Sequence, residues 1–189
     1  MIRFGIVGCG NISGTHAEAL QKIQEAQLTA CCDIDEVKGR RFGEKHGCSF
    51  YGNYLDMLKN GEIDAVIIAT PHYLHGQMTL QAFEAGKHVL CEKPMAITVQ
   101  EAEQVLAKWE EQPDLHYAVC YQNRFNPSYA QLKTMISQQA FGQLKGIKCE
   151  LTWHRDKGYY EAASWKGTWK KEGGGTSVSY THLTLPTNS

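Results

Sequence analysis

The sequence predicts an α/β protein built on a doubly wound parallel sheet. Three observations carry this. Short apolar runs at 2–7, 28–32, 65–69, 88–91 and 117–120 are nearly continuous in apolar residues, as strands buried on both faces are. Stretches of helical periodicity separate them, and strand–helix repetition of this kind builds a parallel sheet with helices on both faces. A glycine-rich turn sits between the first run and the first helical stretch.

The elements follow in order. His16, Ala19, Leu20 and Ile23 are expected to share one helical face. Leu74, Met78 and Ala82 form a second. Val99, Ala102, Val105, Leu106 and Trp109 form a third, opened by a capping box of Thr98 and Glu101. The pattern changes after about residue 121. Asn126-Pro127 opens a helix with Tyr129, Leu132 and Ile136 on one face, and Phe141-Gly142 ends it. Residues 144–153 read as a long strand with partial alternation, as in an antiparallel sheet with one solvated face. The expected organisation is a dinucleotide domain at 1–120 and an incomplete substrate and oligomerisation domain at 121–177. Residues 178–189 are expected to be a non-native tail, since 178–187 reads like a translated sequencing adapter, and the alternative is a genuine polar C-terminal tail.

Composition excludes several classes. The chain has 189 residues, 42% hydrophobic, with a formal net charge of -1. That charge gives no field to draw nucleic acid or an anionic membrane. No apolar run reaches the roughly 20 residues of a membrane helix. No signal peptide is read at the N-terminus. Cys9, Cys31, Cys32, Cys48, Cys91, Cys120 and Cys149 include no C-x-x-C pair. They read as reduced, structural thiols of a cytoplasmic protein, not as disulfides or a metal site.

The chemistry starts at Gly8-Cys9-Gly10-Asn11-Ile12-Ser13-Gly14. A pyrophosphate needs a tight turn at Gly8, bare backbone at Gly10 and helix N-terminal amides from Asn11 and Ile12 onward. Ser13 stands where Gly or Ala is usual. Asp33 ends the second run, where a carboxylate accepts from adenosine ribose hydroxyls and repels a 2′-phosphate. NAD is therefore expected, with NADP less favoured. The alternative for Asp33 is to cap the next helix, for which Asp35 competes. Arg40 and Arg41 leave NADP open. Together these features describe a Rossmann unit. Three further strand ends place polar groups at its crevice: Thr70-Pro71-His72 with His75, Glu92-Lys93-Pro94, and Gln122-Asn123-Arg124.

The runs Ala85-Gly86-Lys87-His88-Val89-Leu90-Cys91-Glu92-Lys93-Pro94 and Tyr121-Gln122-Asn123-Arg124-Phe125-Asn126-Pro127 resemble the Gfo/Idh/MocA oxidoreductase family, over residues 2–175. The resemblance implies a Rossmann domain followed by an α+β domain with an open, mainly antiparallel sheet. It implies NAD(P)-linked oxidation of a sugar, cyclitol or related alcohol, with Lys93 reaching substrate and nicotinamide. The Glu92-Lys93-Pro94 and Thr70-Pro71 segments would line the cofactor, and the peptide before Pro94 is often cis in the family. Lys93 supplies a cation near the developing alkoxide, and can act as base only if its pKa falls from about 10.4 towards neutrality. His72 and His75 stand either as site residues or as structural groups.

Downstream, Arg155, Tyr160, Trp165 and Lys166 with the Gly173-Gly174-Gly175 run resemble the nucleotide-sugar 3-dehydrogenase subgroup. Aromatic faces and cations there would grip a sugar and a diphosphate, and the alternative is that the tryptophans are core or interface anchors. In the family an aspartate and an acid–base histidine follow the glycines. Here Ser179 stands in place of the aspartate, and His182 falls one residue short of the histidine spacing. The expectation is a truncated chain that binds NAD weakly, lacks turnover alone and exposes an unpaired strand at 144–153. The parent is expected to form a homo-oligomer through its C-terminal sheet. Two alternatives stand beside the sugar dehydrogenase: a non-catalytic NAD-binding sensor, and an enzyme acting on inositol or another cyclitol.

Overall fold

The structure is a computed structural model that describes residues 1–148, 150, 154 and 156–173. Six parallel strands form one sheet: β1 Ile2–Val7, β2 Ala26–Cys32, β3 Ser49–Tyr51, β4 Ala65–Ile68, β5 His88–Glu92 and β6 Tyr117–Cys120. Their order is β3-β2-β1-β4-β5-β6, the doubly wound dinucleotide-binding order, which reverses direction between β1 and β4. Val7 pairs with Cys32 on one side and Ile68 on the other. The loops after β1, β2 and β4 therefore meet at one edge.

The helices are α1 Asn11–Leu20, α2 Glu36–His46, α3 Tyr54–Asn60, α4 His75–Glu84 and α5 Val99–Glu110. They cover both faces. One core layer holds Val66, Ile68, Phe83, Val89 and Val105, and the other holds Ile6, Ala17, Leu20, Phe42 and Ile67. β4 is buried at every position, which explains its unbroken apolar run. The Thr98 side chain accepts from the Glu101 amide at 3.2 Å, and Glu101 reaches back to the Ile97 amide at 3.2 Å.

The structure corrects several expectations. In α1 the buried face is Ser13, Ala17 and Leu20, whereas Ala19 and Ile23 are exposed. His16 lies to one side of that face and turns to the crevice. In α5 Val105 is fully buried, but Val99 and Leu106 are exposed. The three-residue β3 and the helix α3 emerge from a stretch with no long apolar run. Beyond β6 comes a 3₁₀ turn, Gln122–Phe125, and then α6 Pro127–Ser137, capped by Asn126 and ending before Phe141. Residues 144–148 carry no strand, because a strand needs a ladder partner and no described segment pairs with them. Residues 149, 151–153 and 155 lie outside the described residues. Two short helices follow, α7 Lys157–Glu161 and α8 Trp169–Glu172.

Candidate functional site

The glycine turn has the geometry a dinucleotide needs. Gly8 sits at φ 88°, and a Cβ there would meet the Ala69 carbonyl oxygen at 2.5 Å. Only glycine allows β1 and β4 to exit this closely. Nothing lies within 4 Å of a Cβ built at Gly10, so the backbone faces open space. Gly10 is the N-cap of α1, with no side-chain cap and no acid in the first turn. Asp35, Asn53, Thr98 and Asn126 instead cap α2, α3, α5 and α6 with their side chains. The α1 amides of Asn11 and Ile12 are thus left for an anion. Ser13 is fully buried and donates its hydroxyl to the Gly10 carbonyl. A small third residue is retained there, with the hydroxyl absorbed locally.

Asp33 is buried at the end of β2 and joined to this turn. Its Oδ2 accepts from the Cys9 amide at 2.8 Å, and its Oδ1 accepts from the Asp35 amide at 2.9 Å. The α2 cap belongs to Asp35, which accepts from the Lys38 amide at 3.0 Å. Asp33 is therefore held for another purpose. The uncapped helix, the open space at Gly10 and this carboxylate together fit a nicotinamide dinucleotide. Of the two cations kept in view for NADP, Arg40 is committed elsewhere: it pairs with Glu36 at 2.7 Å and its guanidinium lies 5.3 Å from the Phe50 ring centre.

The other two loops converge beside the turn. His75 is fully buried at the start of α4, its ring nitrogens 2.7 Å from the Pro94 carbonyl and 2.8 Å from the Thr70 carbonyl. It ties the loop after β4 to the loop after β5. Burial pushes its pKa down, against the pull of both carbonyls. The Thr70 hydroxyl turns to the Met78 sulfur at 3.4 Å. Lys93 follows β5, half-buried, and the Lys93–Pro94 peptide is cis, as the family resemblance implies.

Glu92 is buried and lies 2.8 Å from His16 Nε2; the Lys93 amide donates to its other oxygen at 3.3 Å. Burial opposes its charge, but His16 and the Lys93 amide and ammonium outweigh it, so the carboxyl titrates below its usual range. Cys120, at the end of β6, places its sulfur within 4.8 Å of the same His16 and Glu92 donors. Burial and Glu92 push that thiol up to about 11. Six of the seven cysteines are described and all six are free.

The downstream residues divide. His72 lies against Trp165, ring centres 4.7 Å apart, and its Nδ1 is 3.0 Å from the Glu172 carbonyl. Burial lowers its pKa. The 165–173 segment therefore packs on the Pro71-His72 loop, and the adjoining Gly173 abuts Ile97. Tyr160 is on α7 and packs on Tyr159 at 5.2 Å, while Lys166 lies 4.0 Å from the Tyr159 ring centre. Gln122 and Arg124 are exposed and Asn123 half-buried in the 3₁₀ turn after β6, with the Arg124 guanidinium 4.8 Å from the Tyr121 ring centre. Arg155, Ser179, His182 and the tail from 178 lie outside the described residues.

Sequence reasoning missed His16, Cys120 and Lys38. In sequence His16 reads only as a helix-face residue and Cys120 as a structural thiol, and nothing points to Lys38, whose ammonium lies 3.3 Å from Asp33 Oδ2. A histidine six residues after a glycine turn was the one available signal.

The Gfo/Idh/MocA family model, an oxidoreductase family with an NAD-binding Rossmann fold, matches residues 2–121. The chain belongs to this family. Among solved structures it is similar to the WlbA dehydrogenase of Chromobacterium violaceum in complex with NADH and UDP-GlcNAcA, at 35% identity and a TM-score of 0.91, covering 96% of this chain and 52% of that one. It also resembles scyllo-inositol dehydrogenase of Lactobacillus casei with NAD(H) and scyllo-inositol, at 30% identity and a TM-score of 0.73, covering 76% and 43%. A curated relative is the glucose-6-phosphate 3-dehydrogenase of Bacillus subtilis, 32% identical over 148 residues, 78% of this chain and 41% of that protein. The chain spans about half the length, or less, of the relatives it matches. The family's cofactor is NAD, and no described helix is long and apolar enough to cross a membrane.

Proposed function

We propose that this chain is the cofactor-binding part of a dehydrogenase that moves a hydride between NAD and a secondary alcohol of a sugar or nucleotide sugar. The observation that carries the reading is Lys93. It stands half-buried at the carboxyl edge of β5, with its own amide on Glu92 and the following Pro94 carbonyl beside His75. A lysine fixed so firmly in its backbone suits a group that must meet a reacting oxygen.

Bound NAD supplies the hydride acceptor. This chain's residues bind and orient the reactants, and the acid–base group that takes the hydroxyl proton is assigned to the part of the whole protein beyond Gly175. The Gly8–Gly10 backbone and the α1 N-terminus take the pyrophosphate, and Asp33 takes the adenosine ribose. Thr70, Pro71 and Glu92 wall the nicotinamide end. Lys93 directs its ammonium at the substrate hydroxyl, where it favours the alkoxide that develops as hydride leaves. Asn123, Arg124, Tyr160 and Trp165 are assigned to the substrate side. In this reading residues 1–120 are the dinucleotide domain, and 121–177 open the domain that completes the substrate site. The nucleotide-sugar choice draws its support from the likeness over 96% of the chain to a dehydrogenase crystallised with UDP-GlcNAcA. A cyclitol is the second reading, supported by the neighbour crystallised with scyllo-inositol.

The test is Lys93→Ala in the whole protein, assayed with UDP-GlcNAcA, glucose 6-phosphate and scyllo-inositol. The variant is expected to lose about 100-fold or more in kcat while NADH affinity stays within about threefold. Turnover unchanged in the variant sinks the role of Lys93. NADH binding without turnover of any alcohol by the unmodified protein favours a sensor.

A further inference from the structure

The crevice holds two side chains that hydride transfer does not require, His16 and Cys120, and both meet Glu92. Glu92 ends β5 and Cys120 ends β6, and the two are register partners in the parallel sheet. Such partners project to the same face, while Cys91 points the other way, into the core layer with Phe83 and Val105. α1 covers the Glu92 face, packing Ala17 and Leu20 on the layer that includes Ile67 and Leu90. From α1, His16 brings Nε2 to 2.8 Å from Glu92 Oε1. The imidazole nitrogen, the carboxylate oxygen and the Cys120 sulfur all lie within 4.8 Å of one another. Among the described residues no other three His, Cys, Asp or Glu donors converge in this way.

One imidazole, one thiol and one carboxylate make the donor set of a borderline-soft dication, Zn²⁺ above all, and not of Mg²⁺ or Ca²⁺, which take oxygen. Tetrahedral zinc holds its ligands about 3.3–3.8 Å apart, from bonds of about 2.0–2.3 Å. Small side-chain adjustments reach that spacing, with His16 and Glu92 opening from 2.8 Å and every donor already inside 4.8 Å. Cys120 releases its proton to solvent as the metal arrives. Thiolate and carboxylate then carry two negative charges, which match the dication, so the neighbouring Lys93 ammonium faces no net positive centre. The His16 and Glu92 side chains are 12% and 9% exposed, which limits competition from water. The second Glu92 oxygen accepts the Lys93 amide at 3.3 Å, an outer bond of the kind that orients a ligating carboxylate. Three protein ligands leave a fourth position for water. No spacing motif announces the set, because His16 and Glu92 stand 76 positions apart.

We propose that His16, Glu92 and Cys120 form a zinc-binding site that clasps α1 to the ends of β5 and β6. It stands on the sheet register and the seat of α1, whatever alcohol the whole protein oxidises. An unfolded chain does not gather these three donors, so bound zinc stabilises the folded form.

The test is titration of the 189-residue chain, kept reduced and free of chelator, with Zn²⁺ and with Co²⁺ as its spectroscopic stand-in. The unmodified chain is expected to show the near-ultraviolet charge-transfer band of a cobalt thiolate, displaced by Zn²⁺, and a higher Tm with Zn²⁺ than without. Cys120→Ala is expected to abolish the band and the Tm rise, and His16→Gln to weaken Zn²⁺ at least about tenfold. Cys48→Ala, at a half-buried thiol before β3, is expected to keep the band, and far-UV circular dichroism checks that each variant is folded. X-ray absorption at the zinc edge of the unmodified chain is expected to fit one sulfur at about 2.3 Å, with nitrogen and oxygen at about 2.0–2.2 Å. No cobalt thiolate band in the unmodified chain, a band that survives Cys120→Ala or vanishes with Cys48→Ala, or Zn²⁺ affinity unmoved by His16→Gln each overturn the site. If Cys120→Ala does not fold, the absorption fit decides: a shell with no sulfur, or with more than one, overturns it as well.

Discussion

The first 120 residues and the described residues beyond them are built by different rules. Every buried side chain among the described residues lies before residue 121. There, each strand has neighbours on both sides or a helix over it, and apolar side chains close into two core layers. Beyond residue 120, α6 keeps an apolar face of Tyr129, Leu132 and Ile136 with none of it buried. Among the described residues, 144–148 carry no strand, and the 165–173 segment leans back, through His72 and Trp165, on the crevice loops. A hydrophobic pattern is a request for a second layer. It becomes stability only where another element answers it.

Three measurements test whether the two regions differ in this way. Phe83 is 1% exposed and meets Tyr117 edge-on at 5.5 Å. Phe83→Ala is expected to cost about 3–5 kcal/mol in urea unfolding. A cost below about 1 kcal/mol would mean that the first region is not the stable unit. Next comes acid. Burial lowers the folded pKa of His72 and His75 from an unfolded value near 6.5. Their neutral forms contribute stability that is whole above about pH 6.5 and is lost as pH falls through the lowered folded values. Each group steepens the loss by at most about 1.4 kcal/mol per pH unit. His75→Gln is expected to flatten that slope in thermal unfolding across pH 5–7, and an unchanged slope removes His75 from the account. Glu92 adds a separate loss at lower pH, below its unfolded value of about 4.3, as its depressed folded pKa is crossed. The smallest effect is Leu132→Ala on α6. At 41% exposure it is expected to change unfolding by under about 1 kcal/mol, and a loss as large as that of Phe83 would erase the contrast between the regions.

The parts of the site legible in sequence are those dictated by local chemistry. Gly8 announces a turn that only glycine makes, and Asp33 and Lys93 directly follow their strands at the edge where open α/β sheets bind ligands. The strand missed in sequence, β3, has three residues, too few for any period to register. The helix face of α1 was misjudged because His16 reads as a face residue until Glu92, 76 positions away, is seen beside it. Alternation alone suggests a strand at 144–153, and alternation does not create a partner for 144–148.

From the amino-acid sequence alone come the parallel α/β class and the dinucleotide turn after β1. Those properties reside in backbone preference and short-range pattern. Only the tertiary structure shows that Asp33 accepts from the glycine turn, that His75 joins two loops, that His16 lies against Glu92, and that Lys38, not Arg40, pairs with Asp33. Each is a contact between groups whose closeness depends on strand order and helix rotation, which no local run of residues encodes.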